Sequence, residues 1–265
     1  MAPKPIEKPT YEVDFGRAAA DYGRHRQGFP ASFFERMAAW GVCASGQRVL
    51  DLGTGTGNLA RRLALGGADV TGLDRSSDLL ETARDLDREA GVSIAYRCAF
   101  AEDTGLPDDS FDVVTAAQCW HWFERPRVLE ETRRVLVEGG RLVIAHLDWL
   151  PREGSVVAAT EELILTHNPA WHMGGMDGLH TSHVGELEAS GFVDIELFAY
   201  DTDLVYSHAD WRGRIRASAG VGASLDAAGV ERFDAGLADL LRERFAEDPL
   251  AVPHRVFGVT GRWVA

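Results

Sequence analysis

Cysteine is scarce: Cys43, Cys98 and Cys119 are the only three in 265 residues, and no two form a CxxC pair. That spacing indicates neither a disulfide framework nor a zinc knuckle, and it fits reduced, partly buried thiols. Basic side chains are also few, 27 against 41 acidic ones, for a formal charge of −14. A field of that sign repels nucleic-acid phosphates and anionic membrane surfaces. The expected partner is therefore a small molecule, with no nucleic acid and no membrane. Arg61, Arg62, Arg133, Arg134, Arg212, Arg214 and Arg216 are grouped, but arginines scattered on helices usually form a solvated face. The first ten residues, rich in Pro and Lys, read as disordered and have no apolar signal core. No later apolar run approaches bilayer length, so a cytoplasmic protein is expected. Internal repeats and low-complexity tracts are absent too. What the chain does have is 45% apolar content, enough to bury a core as one large domain over residues 1–265, monomeric or homodimeric.

Two helices are expected first, over residues 15–22 and 31–40, with Gly28, Phe29 and Pro30 between them. Short apolar runs then alternate with helical stretches. Strands are expected at 48–52, 69–73, 93–98, 111–117 and 141–146, with helices after Gly57, after Ser76 and over 127–137. Fully apolar strands in such alternation predict a doubly wound α/β fold with a mostly parallel sheet covered on both faces. Beyond Leu150 come a helix over 155–166, a Gly- and His-bearing loop over 168–183, a helix and strand over 184–200, a helical block over 208–245 and a last strand over 254–264. The helical insertions of 151–250 around the sixth strand read as a substrate-shaping cap.

The strongest local signal is Val49-Leu50-Asp51-Leu52-Gly53-Thr54-Gly55-Thr56-Gly57-Asn58, a strand running into a glycine turn and then a helix. Such a turn lets a ligand approach the backbone with no Cβ in the way. The third glycine falls one place early for GxGxxG, and Asn58 stands where a dinucleotide site wants Gly or Ala. Asp51 at the strand's end would repel a pyrophosphate but favour the ammonium and sulfonium of S-adenosylmethionine. Asp74 ends the next strand, seventeen residues past Gly57. It suits a ribose acid, or an N-cap for the helix after Ser76.

These residues resemble the class I S-adenosylmethionine-dependent methyltransferases, in particular the small-molecule group that includes the ubiquinone and trans-aconitate enzymes. Asp51, Gly53, Gly55 and Gly57 look like its motif I and Asp74 like its ribose acid. Ala101-Glu102-Asp103-Thr104-Gly105-Leu106-Pro107 and Ser110-Phe111-Asp112 look like the adenine loop and the entrance to strand four. The likeness implies a Rossmann-like sheet of seven strands with an antiparallel final hairpin strand, S-adenosylmethionine as cofactor, and a core at 45–147 under a helical lid at 15–40. Its implied cofactor contacts are Tyr22, Arg26, Asp51, Gly53, Thr54, Gly55, Gly57, Asp74, Arg75, Ala101, Glu102 and Gln118. One departure is Phe100, where many members carry an acid for the adenine amino group. Adenine would then rest on the Ala101 backbone, Glu102 and ring stacking.

Ligands of such sheets sit beyond the strands' carboxyl ends, which directs attention to Gln118 and to His121 in the turn Gln118-Cys119-Trp120-His121-Trp122-Phe123. The sulfonium is already electrophilic, so the enzyme must mainly align the acceptor and exclude water. A hydroxyl or enol acceptor would benefit from a base, for which His121 is the candidate, and a carboxylate would need none. His121 could equally be packing among its aromatic neighbours. Trp122, His146, Trp149, Trp171, His172 and Met173 are expected to line the acceptor pocket. His172, His180 and His183 lie close in sequence, but no acidic or Cys partner stands at a recognised spacing, so no metal is expected. The main reading is O-, C- or N-methylation of a metabolite. A protein that binds the cofactor without transferring its methyl, and a nicotinamide oxidoreductase lacking its usual spacing, are the alternatives.

Overall fold

The glycine turn and both candidate carboxylates sit on a seven-stranded sheet in the order β3-β2-β1-β4-β5-β7-β6. A computed structural model describes residue 25 and residues 27–42 and 44–264. The expected helix over 15–22, the disordered start, Tyr22, Arg26 and Cys43 lie outside the described residues. The strands are β1 (Arg48–Leu52), β2 (Asp69–Asp74), β3 (Ala95–Cys98), β4 (Phe111–Ala117), β5 (Leu136–Trp149), β6 (Val193–Tyr206) and β7 (Leu250–Arg262). β1 pairs in parallel with β2 and β4, β2 with β3, and β4 with β5. The Gly139 amide donates to the Trp263 carbonyl and the Trp263 amide to the Gly140 carbonyl, while the Leu150 amide donates to the Pro253 carbonyl. Residue numbers that fall on one strand as they rise on the other make β5 and β7 antiparallel.

The helices are α1 (Ala31–Ala39), α2 (Asn58–Leu65), α3 (Ser77–Ala90), α4 (Arg125–Val135), α5 (Val156–His167), α6 (Ser182–Ala189), α7 (His208–Arg216) and α8 (Ala227–Arg244). Several starts are set by side-chain caps. Ser76 accepts the Leu79 amide, Ser155 the Ala158 amide, Ser207 the Asp210 amide and Asp226 the Gly229 amide. At the far end of α3, Gly91 takes φ 69°, the left-handed stop that glycine adopts without a Cβ penalty.

The chain divides into two compact units. One comprises residues 28–146, 180–199 and 256–265. Its core is a continuous apolar cluster that includes Leu50, Leu52, Val114, Ala116, Leu142, Ile144 and Phe257, all essentially without solvent contact. Strands this apolar on both faces belong in the middle of a covered sheet. The other unit comprises, of the described residues, 25, 27, 147–179 and 200–255. There α5 packs on α8, and α7 packs on α8. Trp211 is fully buried and donates from its indole nitrogen to Thr160 Oγ1 at 3.1 Å. Several grouped arginines are ion-paired: Arg61 with Asp87 at 2.7 Å, Arg134 with Glu131 at 2.7 Å, and Arg212 and Arg216 with Asp234. Among the described residues no helix is long and apolar enough to cross a membrane.

Candidate active site

The strand order reverses at β1, since β2 and β3 lie to one side of it and β4 and β5 to the other. Chain leaving β1 and β4 therefore departs in opposite directions and opens a crevice at their carboxyl ends. The glycine turn follows β1, and the segment from Gln118 to Phe123 follows β4. Gly53 has φ 61°, and a Cβ there would lie 2.8 Å from Cys119 Cβ and Sγ. Cys119 Sγ in turn lies 3.1 Å from the Leu52 carbonyl, so the two turns are packed on one another. Gly57 has φ 74° and begins α2, and a Cβ there would fall 2.3 Å from the Tyr96 hydroxyl. The spacing of these glycines is a steric requirement of this corner.

Asp51 lies beneath the turn, only 2% exposed. Its carboxylate accepts the Thr54 hydroxyl at 2.7 Å and the Thr115 hydroxyl at 2.6 Å. Thr115 is its register partner on β4. Burial pushes Asp51 up to about 6, against the pull of those two hydrogen bonds. Asp74 is the brace from the other side. Its Oδ2 accepts the Gly55 amide at 2.8 Å, and its Oδ1 accepts the Ser76 amide at 2.9 Å. Burial raises its pKa, and the amides of Ser76 and Gly55 oppose the rise. The cap of α3 is Ser76 itself, so Asp74 organises the turn that leads into the helix rather than capping it.

Past β3, Ala101 is buried and Glu102 accepts the Glu124 amide at 2.8 Å, while Phe100 is 60% exposed. Arg75 is exposed. Gln118 takes φ 64°, a conformation a non-glycine residue adopts only under constraint, and its amide donates to the Ala145 carbonyl at 2.9 Å. His121 is 9% exposed within a single 3₁₀ turn, Trp120–Trp122, with its ring 4.9 Å from that of Trp122 and 6.2 Å from that of His146. His146 is 1% exposed, and burial drives its pKa well below the ordinary value, helped by the imidazoles of His180, His183 and His121. Burial also lowers His183.

Four of the residues expected in the acceptor pocket, Trp149, Trp171, His172 and Met173, belong to the other unit, and there Trp149 donates to a carboxylate that the sequence did not single out. Glu161, 7% exposed, accepts the Trp149 indole at 2.8 Å through Oε1 and the Gly175 amide at 2.9 Å through Oε2. Burial raises its pKa. The Arg214 guanidinium lies 4.9 Å over the Trp149 ring. Trp171 is buried, with its ring edge where a Cβ on Gly174 would sit. His172 contacts the Ala170 carbonyl at 3.3 Å, and Met173 is half-buried. Glu186 was missed as well. It receives the Trp120 indole at 2.8 Å and Arg125 at 2.5 Å, and its Oε2 lies 3.2 Å from His183 Nδ1. Although burial works against it, these partners hold the Glu186 carboxyl at about 2. A Glu three residues after a His on a short helix was the available signal.

A sequence family described as methyltransferase domain matches residues 50–144. An uncharacterised methyltransferase of Mycobacterium tuberculosis is 35% identical over 151 residues, covering 55% of this chain and 59% of that protein. The chain thus spans about three fifths of that relative's length. A malonyl-[acyl-carrier protein] O-methyltransferase of Erwinia pyrifoliae is 29% identical over 230 residues, covering 84% of this chain and 79% of that one. Among solved structures, a phosphoethanolamine N-methyltransferase of Haemonchus contortus superposes with TM-score 0.57 at 19% identity, over 95% of this chain and 57% of that one, and so shares the fold. The segment that carries the glycine turn, residues 50–144, is thus the part of the chain that matches the methyltransferase domain family.

Proposed function

We propose that the protein transfers the methyl group of S-adenosylmethionine to a small organic acceptor. The observation that carries this reading is the braced glycine turn, held by Asp74 through the Gly55 amide and underlain by the buried Asp51 at the point where the strand order reverses. The residues present fit the cofactor. Three backbone positions at 53, 55 and 57 have positive φ and no side chain, so a ligand can lie against the main chain. Two acidic groups serve a cationic ligand where a pyrophosphate would be repelled. Phe100, exposed at the end of β3, offers a face for adenine to stack on.

When bound, the cofactor supplies an electrophilic methyl group. The chain then has to hold an acceptor in line and keep water out. Gln118, strained at the end of β4, faces the cofactor's amino-acid end in this reading. His121 receives the acceptor's proton at an imidazole nitrogen where the acceptor is a hydroxyl or enol. The methyltransferase relative named for a malonyl acyl-carrier protein makes an oxygen acceptor a first choice for screening. The protein is read as a cytoplasmic enzyme whose substrates are neither nucleic acid nor membrane lipid, in keeping with its charge of −14.

Calorimetric titration with S-adenosylhomocysteine, with NAD as control, tests the cofactor. Micromolar binding of the former alone is expected, and binding of NAD or of neither overturns the reading. Labelled-methyl transfer to a panel of hydroxy, carboxy and amino acceptors then tests turnover.

A further inference from the structure

Four buried or nearly buried histidines lie in the sheet-bearing unit, and methyl transfer uses at most one of them as a base. His146 closes the apolar run of β5, His180 precedes α6, and His183 sits in the first turn of α6. They are 1%, 6% and 3% exposed. The His146 and His180 rings stack with centroids 3.7 Å apart, and the His180 and His183 rings are 5.5 Å apart and nearly parallel at 7°. One nitrogen from each of the three lies within 4.8 Å of the other two. Phe257 walls the group, its ring 5.5 Å from His180, 6.3 Å from His183 and 6.4 Å from His146.

Packing alone explains this arrangement poorly. Imidazole carries two polar nitrogens that need partners when buried, and the chain has gathered three such rings in one place. Glu186 decides which nitrogen of His183 faces the others. Its carboxylate lies at ion-pair distance, 3.2 Å, from Nδ1, where it favours a proton on that nitrogen and so leaves the Nε2 lone pair for the cluster. There Nε2 of His183 meets Nε2 of His146 at 3.2 Å. A tetrahedral ion with metal–nitrogen bonds of about 2.0–2.1 Å separates its ligand nitrogens by about 3.3 Å. Carboxylate to imidazole to ion is also the usual outer support of a metal-bound histidine, which it orients and makes more basic. Trp120 and Arg125 fix Glu186 in turn.

We propose that His146, His180 and His183 bind one first-row transition-metal dication, of which zinc is the reference, with Glu186 as the residue that positions His183. Three neutral imidazoles with no carboxylate among the donors exclude magnesium and calcium, which take oxygen ligands. Three protein ligands leave the fourth position open, as catalytic rather than structural zinc sites do. This reverses the expectation of no metal. That expectation grouped His172 with His180 and His183 and found no acid beside them. The third imidazole is His146, more than thirty residues earlier in the chain, and the acid is Glu186.

The test is metal binding by the whole protein, independent of any acceptor and of cofactor titration, so it can fail while the methyltransferase reading stands. Chelator-stripped protein is titrated with Co²⁺ and followed by its visible d–d absorption, and Zn²⁺ content is measured after equilibration and desalting. One ion per chain is expected, with tetrahedral or five-coordinate Co²⁺ spectra. His180→Ala should abolish stoichiometric binding. Glu186→Gln should weaken it on the order of 10–100-fold while leaving one ion per chain at saturation. Circular dichroism and thermal denaturation show that the variants are folded. Substoichiometric binding by the unaltered protein, or unchanged binding by folded His180→Ala, overturns the proposal.

Discussion

Asp51→Asn separates what the buried carboxylate costs the fold from what it gives a ligand. In the folded chain Asp51 is 2% exposed and titrates at about 6, against 3.8 for an ordinary Asp side chain. At about 1.4 kcal/mol per pH unit, that gap makes the ionised side chain cost the ligand-free fold about 3 kcal/mol above pH 6. The direction follows from proton uptake. Between 3.8 and about 6 the native state holds its proton while the unfolded state has released it, so this group's contribution to stability falls as pH rises through that window and is constant above it. Asparagine is neutral throughout. The stability of the variant minus that of the parent should therefore be smallest near pH 4 and grow by up to about 3 kcal/mol by pH 7.5. One hydroxyl, that of Thr54 or Thr115, must turn round to accept from the new amide, which lowers the whole curve without changing its pH dependence. Urea denaturation of both proteins at four pH values between 4 and 7.5 gives the difference directly, with titrating groups that do not interact with Asp51 cancelling. The same substitution should weaken S-adenosylmethionine more than S-adenosylhomocysteine, which lacks the sulfonium charge. A difference that stays flat with pH, or that shrinks towards neutrality, refutes the assignment of a destabilising buried charge.

Asp74→Asn keeps the shape of the brace but removes its charge, and Asp74→Ala removes both. S-adenosylhomocysteine affinity should fall in the order parent, Asn, Ala, with the Ala variant losing on the order of 1–3 kcal/mol measured calorimetrically; unchanged affinity would mean that Asp74 serves only the turn. His121→Ala should lower kcat on an acceptor with an ionisable hydroxyl while leaving S-adenosylhomocysteine affinity within about twofold, by analogy with general bases that contribute 10²–10⁴ in rate. A matching loss of folding stability and no selective loss of kcat would make His121 a packing residue.

The sheet was legible because its central strands are buried on both faces. Arg48–Leu52 and Phe111–Ala117 match the expected bounds, since runs such as Val113, Val114 and Leu142 to Ala145 have no polar interruption that would suit a helix. The later strands were harder. β5 was expected over 141–146 and spans Leu136–Trp149, because pairing with β7 carries it past His146 through residues whose alternation is weak. β6 and β7 likewise extend beyond the expected runs, with β6 reaching Tyr206 and β7 starting at Leu250. A strand that is extended by its antiparallel neighbour shows little of that in its own composition.

The site divides along the same physical line. The glycine turn could be read in one dimension because sterics act locally: Gly53 and Gly57 must lack a Cβ where they stand, and Asp74 must lie one strand away. The histidine cluster could not, because its members come from β5, from the loop before α6 and from the first turn of α6, and no one of these stretches carries a spacing that metal sites are known by. Only the fold brings His146 to within 3.2 Å of His183. Thr115 was invisible for the same reason, since its hydroxyl meets Asp51 through the parallel register of β1 and β4 rather than through any sequence proximity. Residues that act through a strand's register or a helix's first turn are therefore the ones a sequence reading misses, and here they are Thr115, which pulls the Asp51 pKa down against its burial, and Glu186, which lies beside His183. Replacing Thr115 by Val would remove one of the two hydrogen bonds that pull Asp51 down, so the Asp51 pKa should move above 6 and the pH window of its stability cost should widen upward with it.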